Sequence, residues 1–129
     1  MIYLDTSVAL AQLFAEDRRP PASLWGETLV ASRLTEYEVW NRVHARGLAR
    51  AHDGIVRALL GRLAFVELDR SVLARALEPF AKSVRTLDAL HLATIAFLRG
   101  QGQAVSLASY DGRLLAAARN LKISVARLG

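Results

Sequence analysis

Hydrophobic and polar positions along the chain switch repeatedly between two periods. Short apolar runs of strand character occur at Ile2-Tyr3-Leu4, Leu29-Val30-Ala31, Phe65-Val66-Glu67-Leu68, Ala104 to Ser109 and Ile123 to Ala126. Between them, apolar residues recur every three or four positions, the spacing that gives a helix one buried face. Strands that alternate with helices imply a parallel sheet covered by helices. We therefore expect an α/β fold, in three α/β/α layers, around a parallel sheet of four to five strands.

Val8, Leu10, Ala11 and Phe14 predict a first helix, with the hydroxyl pair Thr6-Ser7 offered as its cap. Glu16 to Pro21 reads as a polar, proline-broken turn, after which Pro21 could open a short helix through Ala22, Leu24 and Trp25. Ser32 or Thr35 can cap the next helix, which carries Tyr37, Trp40, His44 and Leu48 along one stripe and Val39 and Val43 along another. Gly47 lies near its end. Asp53 is the expected cap of a further helix with Ile55, Val56, Leu59 and Leu60 inward, so residues 33–62 read as a helical hairpin over one side of the sheet. Asp69 or Ser71 starts another through Val72, Leu73, Ala76 and Leu77, with Pro79 helping to end it. Thr86 opens the most apolar stretch, Leu87 to Leu98, a helix expected to be buried on most sides and terminated by Gly100 and Gly102. Asp111 to Leu121 forms the last, with Leu114, Leu115 and Ala118 inward.

A chain of 129 residues fits one domain, expected to span 1–129, with a core large enough to need no staples. Cysteine is absent, which excludes disulfides and thiolate zinc sites and leaves any metal to oxygen or imidazole ligands. Met1 runs into the first strand without a basic leader, and no apolar stretch approaches the ~18 residues of a membrane span, so a cytoplasmic protein is expected. The net charge is +5, and nearly all of the basic residues are arginine, the side chain suited to bidentate contact with phosphate or carboxylate.

Four acids stand out against that basic background. Asp5 comes where the first strand ends, and in parallel sheets the carboxyl ends of strands are where ligands bind. Capping the following helix is its ordinary alternative role. Asp111 repeats the arrangement after the fourth strand, with a hydroxyl at Ser109. Asp88 lies in the first turn of the apolar helix, among apolar neighbours that make an unpaired carboxylate costly. Glu38 lies one turn into the helix after the second strand, where pairing with Arg42 or a capping box with Thr35 would also explain it. Two carboxylates 4 Å apart repel by roughly 4 kcal/mol at an effective dielectric near 20, so a cluster of four needs a cation. Mg²⁺ or Mn²⁺ fits an oxygen-rich, cysteine-free donor set. His91 follows Asp88 by three positions and could pair with it, but a core histidine hydrogen-bonded to backbone is the expectation. His44 and His52 are expected at the surface.

The residues resemble the PIN-domain ribonucleases, and within them the VapC-type toxins of toxin–antitoxin pairs. The resemblance is carried by Tyr3-Leu4-Asp5-Thr6-Ser7, by Ser32-Arg33-Leu34 with Glu38 following, by Arg85 to Ala93 and by Ser109-Tyr110-Asp111. It implies a PIN-like α/β/α fold and an acidic site of Asp5, Glu38, Asp88 and Asp111 that binds Mg²⁺ or Mn²⁺ and hydrolyses RNA, with Thr6 and Ser109 at supporting hydroxyl positions. In the family the position of Ser109 is commonly threonine, a departure that keeps the hydroxyl. It also implies a VapB-like antitoxin partner and a homodimer, for which Trp25, Tyr37, Trp40 and Leu48 offer apolar surface. Glu38 rather than Glu36 is expected in the site, since the two lie about 200° apart around a helix. Arg42, Arg46 and Arg85 are weaker candidates for gripping the RNA backbone. Two other readings compete: a phosphoryl-accepting domain using Asp5, against which position 7 is serine and no lysine ends the last strand, and a non-catalytic module whose acidic pocket receives a partner's arginine.

Overall fold

The computed structural model describes residues 1–14 and 17–129. The strands are β1 (Ile2–Leu4), β2 (Leu29–Ser32), β3 (Ala64–Val66), β4 (Ser106–Ala108) and β5 (Ser124–Val125), all paired in parallel in the order β3-β2-β1-β4-β5. The helices are α1 (Thr6–Phe14), α2 (Arg33–Ala45), α3 (Asp53–Leu60), α4 (Arg70–Leu77), α5 (Thr86–Gly100) and α6 (Gly112–Asn120), with a 3₁₀ turn at Ala22–Gly26. From β1 the chain steps outward through β2 and β3, then returns to add β4 on the opposite side of β1. Such a reversal of strand order opens a crevice at the carboxyl ends, here between β1 and β4.

The period of two along each strand decides which layer each side chain joins. Leu4, Leu29, Ala31 and Ala108 enter one core with Val8 and Leu13 of α1, Val39 and Val43 of α2, and Val56, Leu59 and Leu60 of α3. Tyr3, Val30 and Leu107 turn to the other face and pack with Leu92, Ile95 and Leu98 of α5 and Leu114 and Ala118 of α6. The expected three layers and parallel sheet are thus present. Among the described residues no helix is long and apolar enough to cross a membrane.

Several local expectations need correction. The Thr6-Ser7 hydroxyls do not cap α1; the carboxylate of Asp5 accepts from Ser7 instead, as described below. Asp53 does not cap α3: it is the first helical residue and pairs with Arg57 one turn on at 3.0 Å. Ile55 is 58% exposed, because an eight-residue helix lying on the core buries only the stripe of Val56, Leu59 and Leu60. The strand expected to run on through Glu67 and Leu68 ends at Val66, and Asp69 caps α4 by accepting from the Val72 N–H. The turn expected from Glu16 begins outside the described residues; its remainder, from Asp17, is irregular chain. Of the anticipated apolar surface, Trp25, Trp40 and Leu48 pack partly buried against the core and only Tyr37 is exposed, at 66%. Large exposed apolar side chains lie instead on α4 and at the start of α5, at Leu73, Leu77 and Leu87.

Ile95 is fully buried beneath the sheet, whereas Leu77 is 87% exposed. We expect Ile95→Ala to cost about 3 kcal/mol in urea unfolding and Leu77→Ala to stay within about 0.5 kcal/mol of the parent, both read at dilutions where the chain is monomeric. Equal losses would show that α5 does not occupy this place.

Candidate active site

β1 delivers Asp5 to the crevice, where the residue is 5% exposed. Its backbone N–H donates to the Ala108 carbonyl at 3.0 Å, extending the pairing of β1 with β4 past the end of the strand. A carboxylate at that depth requires donors. Two hydroxyls supply them: Ser7 Oγ donates to Asp5 Oδ2 at 2.6 Å and Ser109 Oγ donates to the same oxygen at 2.8 Å. Ser7 Oγ in turn accepts the Tyr110 N–H at 2.9 Å, and Ser109 Oγ accepts the Asp111 N–H at 2.9 Å. The start of α1 and the loop after β4 are thereby tied to each other through one carboxylate oxygen. Asp5 forms no ion pair among the described residues.

Asp111 takes the cap of α6, its Oδ1 accepting from the N–H groups of Arg113 at 2.9 Å and Leu114 at 3.3 Å. Asp88, in the first turn of α5, has no hydrogen bond or ion pair among the described residues. Burial raises its pKa above the ordinary carboxyl value, and the charges of Asp111 and Asp5 raise it further against the weaker pull of His91 and Arg85. Asp88 therefore lies close enough to both Asp111 and Asp5 to be repelled by their charges.

Glu38 approaches from the other side. Ser32 Oγ caps α2 by accepting from the Leu34 N–H at 3.0 Å, which leaves Thr35 inside the helix and Glu38 free of any capping role. Thr6 Oγ1 donates to Glu38 Oε1 at 2.7 Å, and His91 Nε2 lies 2.7 Å from the same oxygen. Glu36, about 200° around the helix, pairs with Arg33 instead, at 3.3 Å. Burial opposes the charge on Glu38, but the hydrogen bonds from His91 and Thr6 outweigh it and hold the carboxyl below its usual range. Burial likewise opposes a charge on His91, and the Glu38 carboxylate outweighs that in turn and raises the imidazole.

His91 is a core residue, as expected, but its partners are side chains and not backbone: Glu38 on Nε2 and the Tyr3 hydroxyl on Nδ1 at 2.5 Å. Tyr3 is fully buried, which pushes its phenol far above the ordinary value, and its oxygen also accepts the Ser32 N–H at 3.3 Å. Sequence reasoning missed three residues here. Ser7 was readable as the second hydroxyl after Asp5, while Tyr3 and His91 looked like core because their partners lie 53 and 88 positions away. His52, expected at the surface, is half-buried against the Phe14 ring.

Two basic cavities border this crevice. One, of about 470 Å³, is lined by Asp88, Lys82, Arg85, Arg113 and Asn120 among others. The second, of about 270 Å³, is lined by Ser7, Tyr110, Arg18, Arg42 and Arg46, with the Arg46 guanidinium 4.2 Å from the centre of the Phe14 ring. The candidate arginines thus fall on opposite flanks. Among the described residues no three acidic or imidazole side chains close on one point as a ready metal cage. The donor chemistry nevertheless fits a hard divalent ion: Asp5, Asp88 and Asp111 offer only oxygens, and the repulsion that Asp88 feels from the other two is answered by no ion pair among the described residues.

Comparison with known proteins gives a consistent picture. The family model described as PIN domain matches residues 2–123. Ribonuclease VapC35 of Mycobacterium tuberculosis strain H37Rv is 30% identical over 136 residues, covering all of this chain and 98% of the relative. Ribonuclease VapC47 of M. tuberculosis strain CDC 1551 matches with the same identity and coverage. In fold, the chain is similar to the crystal structure of M. tuberculosis VapC20, described as a sarcin-ricin loop cleaving toxin, with a TM-score of 0.68, 21% identity, and coverage of 91% of this chain and 95% of that one.

The Glu38–His91 pair has a pH signature. Glu38, lowered in the fold, stabilises above its unfolded pKa near 4.5, and that contribution is lost as pH falls through the folded value. His91, raised in the fold, stabilises fully below its unfolded pKa near 6.5, and that contribution is lost as pH rises through the folded value. In chelator, the stability margin of the parent over His91→Gln should be widest between about pH 4.5 and 6.5 and should narrow toward pH 9. A margin that is flat or widens with pH would contradict the pairing.

Proposed function

Because the chain belongs to the PIN-domain family, among its VapC-type ribonucleases, we propose that it hydrolyses RNA at the crevice between β1 and β4 with a divalent cation, Mg²⁺ or Mn²⁺. The supporting observation is Asp88 repelled by the charges of Asp111 and Asp5 at the topological switch point, with none of the three in an ion pair among the described residues. Asp5 and Asp88 would hold the ion, with Asp111 and Glu38 completing the acidic site. When bound, the cation supplies Lewis-acid polarisation of the scissile phosphate and a water nucleophilic near neutral pH.

The chain's own residues do the rest. The Ser7 and Ser109 hydroxyls hold Oδ2 of Asp5 in one orientation. Thr6 and His91 hold Oε1 of Glu38, leaving Oε2 without a described partner and available as a proton acceptor. Lys82, Arg85 and Arg113 make no ion pair among the described residues, unlike Arg33 and Arg57, and line the cavity that reaches Asp88. They are placed to meet the phosphates flanking the cleaved bond, with Arg42 and Arg46 on the opposite flank. Membership of the family sets aside the phosphoryl-acceptor and purely acidic-pocket readings.

In this reading the chain is the toxin of a pair, restrained by a VapB-like antitoxin, and it forms a homodimer. The exposed Leu73, Leu77 and Leu87 on α4 and α5 support an apolar self-contact there, in place of the tryptophan-rich surface anticipated from the sequence.

Asp5→Asn should abolish divalent-dependent RNA cleavage while thermal stability holds or rises, because one of the repelling charges is removed. Glu38→Gln should lose at least about tenfold in cleavage, the scale on which general acid–base groups contribute, and Glu36→Gln should cleave like the parent. Gel assays of a defined RNA with and without EDTA, run beside melting curves, check all three. Full activity of Asp5→Asn, or of the parent in excess EDTA, would overturn the mechanism.

A further inference from the structure

Resting on the ribonuclease reading above, we infer that Tyr3 and His91 are positioning residues that hold the Glu38 carboxylate in its working orientation. The argument follows from donors and acceptors. Glu38 Oε1 only accepts, so the His91 Nε2 that lies 2.7 Å from it must carry a proton. In a neutral ring, Nδ1 is then bare and accepts the Tyr3 O–H, while the Tyr3 oxygen accepts the Ser32 N–H. In an imidazolium both nitrogens carry protons, and Nε2 still donates to Glu38. The orientation of Glu38 therefore survives either charge state of the ring.

The relay also ties together the elements that must stay in register. Tyr3 belongs to β1 and lies two positions before Asp5 on the same face of the sheet. Ser32 ends β2 and, through its own hydroxyl, caps the helix that carries Glu38. His91 lies on α5 one turn after Asp88. One buried chain of hydrogen bonds thus links β1, the start of α2 and α5, the three elements that deliver Asp5, Glu38 and Asp88. An aromatic ring edge completes the fit, with Tyr3 and His91 meeting at 75° and 5.8 Å between centres. With Oε1 held by both His91 and Thr6, the glutamate presents a single remaining oxygen to the crevice.

Tyr3→Phe removes one hydroxyl and keeps the ring. His91→Gln keeps an amide N–H able to reach Glu38, and His91→Leu keeps neither nitrogen. Each variant is read three ways: melting temperature, Mn²⁺ affinity by calorimetry with no RNA present, and kcat and KM on a defined RNA. Tyr3→Phe and His91→Leu should fall about tenfold in kcat and in Mn²⁺ affinity with KM unchanged, the scale seen when partners that orient metal-site groups are lost. His91→Gln should recover most of that loss. Combined with Glu38→Gln, Tyr3→Phe should add no further loss in kcat, because it acts through the residue already removed. Should Tyr3→Phe fail to fold, the comparison of His91→Gln with His91→Leu decides in its place. Folded variants with the parent's kcat and Mn²⁺ affinity, or a double variant with fully additive losses, would overturn the positioning role. A parent that neither binds Mn²⁺ nor cleaves RNA would instead overturn the ribonuclease reading beneath it.

Discussion

Burying a carboxylate costs free energy unless donors are held against it, and the carboxyl edge of this sheet is arranged around that requirement at Asp5, a residue only 5% exposed. Ser7 and Ser109, from segments 102 positions apart, converge on one oxygen. Each hydroxyl then uses its lone pairs to hold the backbone of the loop after β4. The closeness of β1 and β4 at the switch point is thus enforced by chemistry as well as by strand pairing. The Ser109 hydroxyl ties the Asp111 backbone to the Asp5 carboxylate by donating to one and accepting the N–H of the other.

Charge is distributed unevenly around that centre. Glu38 has a local partner in His91, so its charge is accommodated within the fold. The aspartates form no ion pair among the described residues, and burial together with the charges of Asp111 and Asp5 raises the pKa of Asp88. A site that keeps repelling charge together without a counter-ion forgoes stability, a pattern that points to a ligand supplying the missing positive charge. The surrounding cations are sorted in a complementary way. Arg33 and Arg57, away from the crevice, pair with Glu36, Glu67 and Asp53, whereas Lys82, Arg85 and Arg113 line the cavity reaching Asp88.

Much of this was legible in the sequence because it is local. The period of two in β1, β2 and β4 assigns side chains to layers, and the matching strand–hydroxyl–acid contexts of Asp5 and Asp111 place them on neighbouring strands. The helical period separates Glu38 from Glu36. What the sequence hid depends on distant partners. An Asp at a helix start suggests a cap, yet Asp53 found an arginine one turn on. An apolar stretch around His91 suggests a core imidazole, and no spacing rule announces that Tyr3 and Glu38 will meet it. Trp25 and Trp40 read as surplus surface in the sequence, whereas both pack partly buried against the core that α1, α2 and α3 build on one face of the sheet.

The account turns on whether these aspartates jointly hold a divalent ion. Crystals of the parent chain grown with Mn²⁺ and measured at the manganese absorption edge answer that directly. The account predicts an anomalous peak between β1 and β4 in contact with carboxylate oxygens of both Asp5 and Asp88. Full Mn²⁺ occupancy at some other place on the surface, with the crevice empty, would contradict it.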